Sequence, residues 1–171
     1  MTMDKLVALN LLPQEQLNLA YSHEKNELHR YRWLALSFLP IDPPVSRLMK
    51  MISMECVQRL RNVQDVAKMM DLVACTEELP IKKPPPFFNK KRQHFFVVDE
   101  SMGRKFLERA EEAAQETYAF FDWLLETNAT PELHQLLFRF VTQKKNEHSI
   151  IKECREQWKI SFSEPVARYK N

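Results

Sequence analysis

The chain has 171 residues, 44% of them hydrophobic and 28% charged, with a formal net charge of +2. That length and apolar content suit one domain with one core, and so small a net charge makes no electrostatic case for a nucleic-acid partner. Gly103 is the only glycine, which disfavours hairpin-rich β architectures and glycine-loop nucleotide sites, because both need backbone at positive φ. No apolar run is long enough to span a bilayer, and the opening MTMDKLVALNLLPQEQ lacks a basic stretch leading into a clean apolar one, so a cytoplasmic protein with no membrane association is expected. Cys56, Cys75 and Cys154 are odd in number and far apart, a pattern for reduced thiols rather than a disulfide framework or a paired-cysteine metal site.

Pro13 opens a helical pattern running to about Phe38, with apolar positions Tyr21, Leu28, Tyr31, Ala35 and Phe38 spaced three and four apart. Leu39 to Pro44 breaks it. Asp42 is placed to cap a second helix to about Leu72, whose inward stripe is Met49, Ile52, Cys56, Val63, Val66 and Met70. From Cys75 to Val98 four prolines alternate with lysines, a composition that opposes helix and marks a long connection. Asp99 or Ser101 caps a third helix to about Glu126, and Asn128 to Pro131 supplies the turn and start of a fourth, to about Trp158. Short, long and short connections give an all-α fold, a ferritin-like antiparallel four-helix bundle in which the 75–98 segment crosses from helix 2 to helix 3. A helix of about 26 residues is ~39 Å long, and about 24 linker residues can cover that distance.

The first stripe, counted through, contains Glu24 where a core leucine belongs, and an unpartnered buried carboxylate is costly. Ferritin-like di-metal centres draw one Glu from each of two helices and a Glu-x-x-His pair from each of the other two. Here the sequence resembles a known family. Glu24 precedes Arg30-Tyr31 by six residues, as in the first-helix motif of rubrerythrins; Glu116-Thr117-Tyr118 is similar to their third-helix motif, and Phe138-Arg139 with His148 to their fourth. The resemblance implies Glu24, Glu116 and His148 as remnant metal ligands. It also implies vacated ligand positions at Ser53 and Cys56, and Lys145 where a Glu is expected. Shifting the second helix by two makes Glu55 a candidate ligand instead, beside Gln58.

Lys145, or Lys144 on the stripe Leu137, Val141, Lys144, His148 and Ile151, supplies a positive charge that keeps an inward carboxylate ionised where a metal would otherwise do so. The milder alternative pairs Glu24 with Arg59 or another base at the bundle edge and makes His148 a hydrogen-bonded core residue. The expectation is a rubrerythrin-related bundle with a degenerate di-metal site, holding no cofactor or a single weak metal. A di-iron oxidase or peroxidase with an unusual ligand set and a non-catalytic interaction scaffold are the alternatives, although the three cysteines cannot build the four-cysteine iron domain of rubrerythrins.

Other features read more simply. His23 and Glu27, four apart, are expected as a solvated pair on a flank. The run Lys82 to His94, flanked and interleaved by Phe87, Phe88, Phe95 and Phe96, imitates a single-strand nucleic-acid site, but a crossover anchored by phenylalanines accounts for it. The apolar run Tyr118 to Leu125 covers more than one helical face, which predicts a homodimer through Tyr118, Phe120, Phe121 and Trp123.

Overall fold

The computed structural model describes residues 11–76 and 95–163, with side chains as far as Trp158. Four long helices account for most of it: α1, Pro13–Phe38; α2, Pro43–Met69; α3, Glu100–Glu126; and α4, Pro131–Ser163. A short 3-10 turn, Val73–Thr76, follows α2, and there is no strand among the described residues. They form a four-helix bundle in which α1 packs chiefly on α2 and α3 on α4. The central part of the expected crossover, with its lysines and Phe87 and Phe88, lies outside the described residues.

The helix ends follow from local chemistry. Asp42 accepts the Val45 N–H at 3.0 Å and Asp99 the Met102 N–H at 2.7 Å, each satisfying one of the orphan donors of a first turn. Pro13, Pro43 and Pro131 stand at first helical positions, where a missing N–H costs nothing. α2 stops at Met69, three residues before the expected end. Asp71 adopts φ 56°, and the Leu72 N–H reaches the Ala67 carbonyl at 2.8 Å while the Asp71 N–H reaches Lys68 at 3.2 Å. This is a Schellman ending with aspartate in the left-handed position usually held by glycine. α4 runs five residues beyond its expected end.

Two apolar clusters fill the bundle. One gathers Leu28 to Phe38 of α1, Val45 to Cys56 of α2, Phe106 to Ala110 of α3, and Ile151 and Trp158 of α4. The other gathers Leu17 to Tyr21, Val63 and Ala67, Phe121 and Leu124, and Leu133 to Phe140. Gly103 packs against the first: the Trp158 ring lies against its backbone, and a Cβ there would stand 2.4 Å from that ring. The indole N–H also points to the Glu100 carbonyl at 3.4 Å. At the near end of the connection, the Val97 N–H donates to the Ser37 carbonyl at 2.9 Å, and Phe95 meets Trp33 edge-on.

The apolar run on α3 is largely absorbed by the bundle itself. Phe121 is fully buried in the second cluster, so it cannot serve the expected dimer face. Phe120 and Tyr118 are half-buried, and Trp123 is 37% exposed.

Candidate functional site: a buried charged centre

On every helix the two apolar clusters leave a gap of sequence between them, and each gap carries polar side chains inward. In α1 the gap lies between Tyr21 and Leu28, in α2 between Cys56 and Val63, in α3 between Ala110 and Phe121, and in α4 between Phe140 and Ile151. Into that layer project Glu24, Glu27, Arg59, Thr117, Lys144 and Glu147, all buried, with Arg30 one turn further along α1.

Glu24 is fully buried and holds two bases at once. One carboxylate oxygen accepts the Arg59 Nε–H at 2.7 Å, and the other lies 2.7 Å from the Lys144 ammonium. Glu147 repeats the arrangement, pairing one oxygen with the Arg59 guanidinium and the other with Lys144 Nζ at 3.3 Å. Two carboxylates thus bridge two cations, and the square closes. Arg59 also reaches Cys56 Sγ at 3.3 Å and Gln143 Oε1 at 3.4 Å. Beside the square, Glu27 pairs with Arg30, so three acids face three bases and the layer is formally neutral.

The proton affinities follow from this balance. Burial alone would raise the Glu24 carboxyl, but Lys144 and Arg59 outweigh it and hold the group below the usual carboxylate range. Burial alone would discharge Lys144, yet Glu24 and Glu147 keep it charged, with its affinity above the ordinary lysine value. Glu27 differs: desolvation wins over Arg30 and pushes its carboxyl upward. Burial likewise raises the Cys56 thiol and the Tyr31 phenol, so neither is an activated nucleophile. His23, at the edge of the layer, is lowered to about 4, first by burial and then by Lys144. Its Nε2 lies 3.1 Å from Thr117 Oγ1, and its ring stacks on Phe120 with centroids 4.2 Å apart.

The sequence-predicted residues are distributed unevenly about this centre. Glu24 and Lys144 meet in it, and Cys56 lines it. Glu116, Lys145 and Glu55 are exposed, and His148 is half-buried. Ser53 donates its hydroxyl to the Lys50 carbonyl at 2.6 Å and lines a groove on the outside of α1 and α2. Glu27, expected as half of a solvated pair with His23, is instead buried against Arg30. The Glu24–Arg59 pair offered as the milder alternative does form, but in the bundle interior rather than at its edge, and Arg30 and Glu147 were not anticipated. Their signal was present: Arg59 falls on the line Ile52, Cys56, Val63, and Lys144 with Glu147 repeats the three-residue step of Glu24 with Glu27.

These donors do not fit a di-metal centre. Each buried carboxylate is bound to a buried base, and among the described residues no group of three His, Cys, Asp or Glu side chains is placed to hold an ion. No helix of the described residues is long and apolar enough to cross a membrane. In comparisons with known proteins, no family model, no curated protein and no solved structure matches the chain.

Proposed function

We propose that this chain is a ferritin-like bundle of the rubrerythrin type whose di-metal centre has been replaced by side-chain cations, leaving a non-catalytic scaffold. The observation that carries the reading is the closed square in which Glu24 and Glu147 each bridge Arg59 and Lys144. Carboxylates bridging two cations are what a di-metal site needs; here an ammonium and a guanidinium supply the positive charge. Cys56 with Arg59 and Lys144 with Glu147 have the three-residue spacing of the paired Glu-x-x-His ligands. On this reading they, rather than Ser53 with Cys56 or Lys145 with His148, stand in the paired positions. Glu24 keeps the single position of α1, and Ala114 or Thr117 holds that of α3.

The membership of the two apolar clusters supports ferritin-like connectivity. The C-terminal half of α1 meets the N-terminal halves of α2 and α3 and the C-terminal half of α4, which is the up-down-down-up order that a long crossover produces. The half-buried Tyr118 and Phe120, with Trp123, remain the face through which a homodimer would form.

Elemental analysis of protein purified without chelator tests this reading. Metal far below one equivalent per chain, and an unchanged melting temperature with chelator or added ferrous iron, is expected. Two equivalents of iron bound per chain would replace the scaffold with the oxidase or peroxidase alternative.

A further inference from the structure

The outer face shared by α1 and α2 carries a groove of about 480 Å³, within the volume range of small-molecule sites. Its floor is formed by Ala35, Ser46 and Ser53, small residues that let the two helices leave a channel between their larger neighbours. Both serine hydroxyls are spent on the chain's own carbonyls, Ser46 on Ala35 and Ser53 on Lys50. They therefore compete little with an apolar occupant. The rims are Leu36, Leu39 and Met54, which are 53%, 54% and 63% exposed, an unusual grouping of large apolar side chains in water.

Arg32 and Lys50 complete the lining, and no acidic residue lines the groove. Among the described residues no ion pair takes up either base. Arg32 to Leu39 spans seven residue steps along the end of α1 and its C-cap, ~10 Å. Eight lining residues are far fewer than the roughly 20–30 per side of a stable protein interface. An occupant therefore needs to be small, apolar along its length and negatively charged at one place.

We propose that this groove binds a single-chain anionic amphiphile, its carboxylate between Arg32 and Lys50 and its aliphatic chain towards Leu36 and Leu39. The site does not depend on the reading of the buried centre. Titration calorimetry of the full chain with octanoate, decanoate and dodecanoate, each below its micelle concentration, tests it. Saturable binding near one equivalent is expected, tightening roughly fourfold per added methylene until the groove is filled. Arg32→Glu with Lys50→Glu should weaken decanoate at least tenfold while changing 1-decanol by less than twofold, and Leu36→Asn should weaken both. These side chains are exposed, so the variants should keep the parent melting temperature, checked by circular dichroism. Absence of saturable binding, decanol binding as tightly as decanoate, or indifference to the charge reversal would overturn the proposal. So would sedimentation showing that the free protein self-associates through this face and that Leu36→Asn abolishes the association.

Discussion

Above and below the centre, the inward stripes of the four helices hold residues such as Phe38, Met49, Leu107 and Phe140; at the centre the same stripes hold Glu24, Arg59, Thr117 and Lys144. The two regions are equally buried but contribute differently. Apolar layers supply free energy in proportion to area and tolerate exchange of similar shapes. A buried ionic layer adds little net stability, since desolvation offsets attraction, yet it penalises every arrangement that separates the partners. A slip of one helical turn in α4 would still bury leucines, but it would carry Lys144 away from Glu24. The apolar layers therefore hold the bundle together, and the charged layer fixes how the helices align.

Breaking the charged layer at one point should have the largest effect. Glu24→Leu leaves two buried bases facing Glu147 alone and is expected to cost about 3–5 kcal/mol in chemical denaturation. Leu137→Ala, in the second apolar cluster, should cost ~2–5 kcal/mol through its cavity, but with a cost that hardly varies between pH 5 and 8. Gly103→Ala sharpens the comparison from the apolar side. Its Cβ would press on the Trp158 ring, and an overpacking cost of ~1–3 kcal/mol is expected in the same assay.

The smallest effect concerns pH. A histidine whose folded pKa is lowered to about 4 from 6.5 binds fewer protons folded than unfolded across that window, so its contribution is complete above 6.5 and lost as pH falls towards 4. Glu24, also lowered, loses its contribution only at more acidic pH, whereas Glu27, raised, acts in the opposite sense. Melting temperatures of His23→Asn and the parent should therefore converge as pH falls from 6.5 to 4. Parallel curves would show that His23 does not titrate against this layer.

Much of the bundle was legible because it depends on periodicity and end signals. Asp42, Asp99, Pro13 and Pro131 located helix starts, and the three- and four-residue spacing located the core stripes. The end of α2 was not legible, since an aspartate in the left-handed position leaves no glycine to announce it. At the centre, Glu24 stood out because one carboxylate interrupts an apolar stripe, and Lys144 because it lies on another. Arg59 was legible as a partner for Glu24 but not as a buried one, and Glu147 not at all, as amphipathic charged residues are ordinarily solvated and their burial becomes evident only when partners arrive from other helices. A family motif also pulled the expected register to Ser53 and His148, whereas the buried charges lie at Arg59, Lys144 and Glu147.

A double-mutant cycle between Glu24 and Lys144 tests most directly whether the charged centre acts as one unit. Glu24→Gln and Lys144→Met, separately and together, would be compared by equilibrium denaturation. Strong coupling is expected, the double variant being less destabilised than the two singles added together by about 1–3 kcal/mol, because removing both partners leaves neither charge buried alone. Additive losses would contradict it.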